Sequence, residues 1–289
     1  MTQNTLYHLW LTRWRWRLRS WVGLHPRLYF PLQAARRRRR EFYVRRNTEV
    51  VIEGYPRSGN TFAVMAFRVA QDRPVRIAHH LHMPAQLKAA ARWGIPTMVL
   101  IRNPEDAVLS FLVREPRIPP EQALRDYLTF YTWVQRLRPH LVLVPFEVVI
   151  SDFGRAIEVL NQRFGTRFRP FVPTSANLAQ VFRLIEEFDR QERLLERKKL
   201  PAEITIGRPS EMRERLKAQR RRDLVPVQDL LDRTHKLYER LLQEVDVALD
   251  REDVPPATPK AEVHPQPARE RLWIPMDEVM EEISWRRSR

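Results

Sequence analysis

The run Gly54-Tyr55-Pro56-Arg57-Ser58-Gly59-Asn60-Thr61 follows an apolar stretch and opens an amphipathic one. A chain leaving a buried strand there must turn sharply and aim the first N–H groups of the next helix at one point, where the helix dipole favours negative charge. Arg57, Ser58, Asn60 and Thr61 add side-chain donors, so the loop reads as an anion cradle. A nucleoside triphosphatase would carry GxxxxGK[ST] here, with a lysine for the terminal phosphates and a hydroxyl for Mg²⁺. That Lys-Ser/Thr pair is missing. The next apolar stretch, Thr97 to Ile101, ends in Arg102-Asn103, where such an enzyme would often supply an aspartate for the metal. Two positive sites at neighbouring strand ends point to a nucleotide with phosphates in two separate places and no obligatory metal.

The second site is built the same way. Arg102 stands at a strand tip, Asn103 is placed to cap the following helix, Pro104 suits its first position, and Ser110 lies two turns in. With both sites in view, YPRSGNTF and RNPEDAVLS resemble the sulfotransferase family, whose donor is 3′-phosphoadenosine 5′-phosphosulfate. Their order, their separation of about 45 residues and their strand-to-helix flanks agree with that family over residues 49–115. The resemblance implies that Arg57, Ser58, Gly59, Asn60, Thr61 and Phe62 hold the 5′-phosphosulfate and that Arg102 and Ser110 hold the 3′-phosphate. Arg57 stands where many soluble members have lysine; its planar fork keeps the charge and changes the contact geometry. Downstream, TIGRPSEMRERLK resembles the family's late basic loop without its Arg-Lys-Gly order, and nominates Arg208 as a further 3′-phosphate contact. Arg213, Arg215 and Lys217 then read as a solvated helix face.

Three histidines, His79, His80 and His82, lie between the two motifs. Their spacing gives no common helical face and no cysteine or nearby aspartate completes a metal site, so no metal is expected. His82-Met83-Pro84 matches the His-apolar-Pro ending of the segment that carries the family's base, which makes His82 the implied general base. His80, at the family's lysine position, either assists or is a loop residue without a role. The implied activity is sulfonate transfer to a hydroxyl or amine acceptor, with carbohydrate and lipid among the candidates. Two alternatives stand beside it: a kinase-like nucleotide-binding protein, and a noncatalytic protein that uses the same fold on anions or membranes.

The elements that must position these residues are legible as short apolar runs separated by amphipathic segments. Strands are expected at 49–53, 75–78, 97–101 and 141–146, and helices at 60–71, 84–93, 104–115, 120–137, 152–164, 177–198 and 227–248. The alternation predicts an α/β fold with a doubly wound, mostly parallel sheet and ligands at the carboxyl ends of its strands. Phe111, Tyr127, Phe130, Tyr131 and Trp133 sit at helical spacing and read as core rather than as an acceptor pocket.

Around this domain, 48–250, the texture changes. Residues 1–47 carry 12 arginines against a single acid, Glu41, within a chain of 289 residues and net charge +16. If helical, this arm sets Tyr7, Leu11, Trp14, Leu18 and Trp21 on one stripe beside arginines, the pattern of a helix in a membrane interface, or else of one packed on the protein's own surface. The Arg36–Arg40 run suits lipid headgroups or another polyanion, with nucleic acid the least favoured, and no apolar run reaches the ~18 residues of a span. Residues 251–289 read as a proline-rich linker followed by a short helix. With no cysteine, a disulfide framework and a thiolate nucleophile are excluded, and a cytoplasmic enzyme, peripheral at a membrane, is the expectation.

Overall fold

The computed structural model describes residues 14–35, 42–196, 201–205 and 211–245. Four strands, β1 (Val50–Gly54), β2 (Ile77–His79), β3 (Thr97–Ile101) and β4 (Val142–Pro145), form one sheet in the order β2-β1-β3-β4, and every pairing is parallel. The three longest run VVIEG, TMVLI and VLVP, and they are buried along nearly their whole length. That is why they show no polar alternation: both faces of the sheet are covered.

The cover is helical. On one face α3 (Asn60–Ala70) packs against α7 (Phe146–Ser151), α8 (Phe153–Phe164) and α9 (Ser175–Glu196). On the other, α4 (Pro84–Trp93), α5 (Pro104–Arg114) and α6 (Pro120–Arg136) pack together, and α12 (Gln228–Gln243) lies over α5 and α6. The chain leaves β1 outward to β2, then crosses back over β1 to β3. The strand order therefore reverses between β1 and β3, where a crevice opens at the carboxyl ends of a doubly wound sheet.

Local sequence explains where the two helices beside that crevice begin. Gly59 caps α3 in the left-handed conformation, φ 88°, and a Cβ built there would come within 3.3 Å of the Phe146 ring. Asn103 caps α5, its Oδ1 accepting from the Asp106 N–H at 3.3 Å, with Pro104 at the first helical position. Two details differ from the sequence reading. The second strand begins at Ile77, because the chain before it meets β1 only through isolated bonds, Glu49 N–H to Arg76 O among them. The fourth ends at Pro145, and Phe146 starts the short helix α7 instead of closing the strand. Helices α10 (Ala202–Thr205) and α11 (Glu211–Arg220) follow α9.

The described part of the basic arm is packed on the domain. It forms a helix over 14–22, here α1, and α2 (Pro26–Ala35). Ser20 donates to Asp126 at 2.6 Å, Ala85 N–H bonds Gly23 O at 2.9 Å, and Lys88 Nζ reaches Leu24 O at 2.7 Å. Tyr29 and Phe42 are buried with Leu81, Met83 and Ala85, and His79 N–H bonds Phe42 O at 2.9 Å. Residues 1–13, the Arg36–Arg40 run, Arg208 and the expected linker and helix of 251–289 lie outside the described residues. Among those described, no helix is long and apolar enough to cross a membrane.

Candidate functional site

A cleft of about 990 Å³ opens at the carboxyl ends of β1 and β3. Arg57, Gly59, Asn60, Thr61, Phe62, His80, His82, Arg102 and Ser110 all border it, so chain segments up to 53 residues apart converge on one space. Eight arginines and lysines line it against four acids, so its lining is net positive and favours negative charge.

The loop between β1 and α3 supplies the floor. Its first helical N–H groups have no intrahelical acceptor, no side chain caps them, and no acid sits in the first turn of α3. Ser58 does not face the cleft: it is fully buried, its hydroxyl 3.5 Å from that of Tyr131. Asn60 turns its amide onto Tyr55 O at 3.0 Å and so shapes the loop from below. Arg57, at φ 70°, reaches across the cleft, donating from Nε to Ser110 Oγ at 3.0 Å and from Nη1 to Thr205 O at 3.1 Å. Arg102 donates to Arg57 O at 3.1 Å and lies over the Phe146 ring, 4.2 Å from its centroid. The two motifs that the sequence presents as separate anion sites are thus bonded to each other.

More cations close in from the far side. Arg114 bonds Thr205 O at 3.0 Å and pairs with Glu192 at 2.9 Å. Arg213 and Lys217, expected on a solvated helix face, are 5% and 6% exposed and border the cleft; only Arg215 of that trio points outward. The correction has a packing reason: α11 lies against α5, so the face carrying Arg213 and Lys217 turns inward, and Lys217 Nζ meets Asp106 and Glu214 at 2.9 Å each. Burial, then the nearby charges of Arg213, Arg114 and Arg102, pull the Arg57 pKa well below its ordinary value. A bound anion would relieve that repulsion.

The histidines form two separate devices. His79 and His80 are held neutral, their pKa values pushed well below the usual range, first by burial and then by neighbouring charge, from Arg68 and His82 at His79 and from His79, His82, Arg114 and Arg68 at His80. Their protons can be placed. Arg68 can only donate, so His79 Nε2, 3.4 Å away, accepts and His79 Nδ1 carries the hydrogen. That hydrogen goes to His80 Nδ1 at 2.6 Å, which leaves His80 Nε2–H donating to Thr61 Oγ1 at 3.0 Å. The relay fixes the Thr61 hydroxyl as an acceptor from below, free to turn its own hydrogen toward the cleft.

His82 is oriented differently. Its Nδ1 lies 2.7 Å from Gly54 O and 3.4 Å from Glu53 Oε2, both acceptors, so Nδ1 carries the hydrogen and Nε2 is the basic nitrogen. Glu53 is wholly buried and also accepts from the backbone N–H groups of Leu81 and His82 and from Gln86 Nε2. Sequence reasoning missed this carboxylate. Its signal was a lone acid in an otherwise apolar strand, VVIEG. The clasp holds a strained loop: His80 and His82, at φ 57° and 55°, are with Arg57 the non-glycine residues of positive φ among the described residues. All three border the cleft, and such strain persists only where the surroundings enforce it.

Among the described residues no group of three or more His, Asp or Glu side chains is placed to hold a metal ion. No protein-family model matches the sequence, and no curated protein matches it. Solved structures do: 30 chains match, among them mouse sulfotransferase SULT7A1 complexed with PAP, at 15% identity and a TM-score of 0.34. That alignment covers 49% of this chain and 64% of the other, less than two thirds of its length. A likeness so low carries no argument about function.

Proposed function

We propose that the chain transfers a sulfonate from 3′-phosphoadenosine 5′-phosphosulfate to an acceptor hydroxyl or amine. The observation that supports this most is the bonded pair of anion sites, the α3 N-terminus and the Arg102-Ser110 edge of α5, with the basic nitrogen of His82 in the same cleft. A nucleotide carrying phosphates at both ends fits that donor set. The first N–H groups of α3 and Thr61 would hold the phosphosulfate end, and Arg102 and Ser110 the 3′-phosphate. Arg57, between them, would serve both.

The bound donor supplies the sulfonate: the acceptor's oxygen or nitrogen bonds to sulfur as the bond from sulfur to the phosphate-bridging oxygen breaks. His82 Nε2 takes the acceptor's proton, while Gly54 O and Glu53 hold the ring by Nδ1 and steady the imidazolium that results. The α3 N–H groups and Arg57 stabilise the charge that grows on the departing phosphate, in a site already shaped to receive it. Calorimetric titration tests the donor: 3′-phosphoadenosine 5′-phosphate should bind, and ATP with Mg²⁺ should bind far more weakly. The reverse preference would favour a kinase-like reading. His82→Ala should keep the nucleotide affinity and lose about 10² to 10⁴ in single-turnover rate; an unchanged rate would remove His82 from the chemistry.

A further inference from the structure

The outer faces of α1 and α2 are unusual for a packed surface. Trp14, Leu18 and Trp21, one helical stripe on α1, are 56%, 49% and 53% exposed, and Leu28 and Leu32, one turn apart on α2, are 46% and 56% exposed. The opposite edge of α1, with Trp16 and Ser20, faces the domain, so the exposed stripe is additional to the one used for docking on it. Arg15, Arg17, Arg19 and Arg27 flank it, and no acid occurs anywhere in residues 1–40. Leu18 and Leu32 are also lining residues of the cleft, so the two stripes meet at its rim.

We infer that α1 and α2 seat the protein on an anionic phospholipid bilayer, with the cleft mouth at the headgroup level, and that the acceptor is the hydroxyl of a lipid headgroup. Exposed tryptophans and leucines in a field of arginines match the interface chemically: rings and aliphatic chains enter the acyl boundary while guanidinium groups meet phosphate. A second copy of this chain is the poorer occupant, because a symmetric contact would bring two acid-free arginine faces together. A lipid also suits the continuity of the surface, since Leu18 and Leu32 would lie along an acyl chain whose headgroup enters the polar end of the cleft. The acceptor half of this inference rests on the sulfonate-transfer reading; the docking half does not.

The test uses the full chain, phosphatidylcholine vesicles with and without phosphatidylserine, and two variants outside the cleft lining, Trp14→Ala/Trp21→Ala and Arg17→Glu/Arg27→Glu. Expected are salt-sensitive co-sedimentation with the anionic vesicles alone, a fall of roughly 25-fold or more in partition for the arginine variant, at about fivefold per charge removed, and loss of binding in the tryptophan variant. Titration of 3′-phosphoadenosine 5′-phosphate should be unaltered in both, and labelled donor should modify a vesicle-borne alkyl glucoside far faster than free glucose. Indifference of the full chain to anionic vesicles at low salt would overturn the docking, as would a concentration-dependent dimer abolished by Trp14→Ala/Trp21→Ala. Equal rates on the two glucosyl acceptors would overturn the lipid acceptor. Vesicle binding without binding of the bisphosphate would leave the docking standing and overturn the donor reading instead.

Discussion

The His79–His80 relay should make stability fall steeply in mild acid, and His79 offers the cleanest measure. Its ring is 1% exposed, tilted against Phe42 with centroids 4.7 Å apart, and bonded to His80 and to Arg68, whose donor faces Nε2 and so disfavours a cation there. Burial comes first among the causes that hold its pKa well below the usual value, then the charges of Arg68 and His82. In the unfolded chain the ring titrates near pH 6.5. Below that pH the unfolded state binds a proton that the folded state refuses, so stability is fully present above about pH 6.5 and is lost as pH falls below it. Between pH 7.5 and 5.5 the unfolded ring gains close to one proton, which amounts to on the order of 1 kcal/mol. His80, which keeps an edge on the cleft, adds at most as much again. His79→Phe isolates the first contribution, because phenylalanine fits the wall of Phe42 and Phe188 and cannot titrate. Urea unfolding of both proteins at the two pH values should show the wild type losing on the order of 1 kcal/mol more than the variant. Groups away from the relay cancel in the comparison, while His80 loses the His79 part of its own depression, which can only widen the difference. Equal losses would mean that folded His79 takes up its proton as freely as the unfolded chain does, and the neutral relay would be refuted.

Two further outcomes follow from single contacts. Arg102→Ala removes a charge-assisted contact of about 1.5 to 3 kcal/mol from the proposed 3′-phosphate end; calorimetry should show 3′-phosphoadenosine 5′-phosphate weakened and adenosine 5′-phosphate almost unchanged, and equal weakening would count against that assignment. Gly54→Ala would push a Cβ to 2.6 Å from Leu100 O and 3.0 Å from Asn60 Oδ1, so denaturant midpoints should report a loss of about 1 to 3 kcal/mol, whereas a neutral substitution would show that β1 and β3 approach less closely at the cleft.

Much of the scaffold is readable along the chain, because the interactions that set it are local. A five-residue run of Thr, Met, Val, Leu and Ile between turn residues reads as a buried strand, and Asn103 caps the helix that Pro104 opens through atoms three residues apart. The loop from Gly54 to Thr61 follows from strand, glycine and helix in succession. These fix an α/β order and put two cationic loops at strand ends. They also single out the histidine segment, since both loops flank it in sequence. They say nothing of which side chains meet. Arg57 finds Ser110 across 53 residues, Glu53 clasps the backbone of Leu81 and His82 across 28 and 29, and Lys217 finds Asp106 across 111. Each of those contacts depends on crossovers that return distant segments to one edge of the sheet. For the same reason Arg213 and Lys217 look solvated in an isolated helix, and α1 and α2 look like a free arm until Asp126 and Lys88 hold them. Helical period and charge fix which faces an element has; only the packing of α11 on α5, and of α1 and α2 along the cleft, decided which of those faces water.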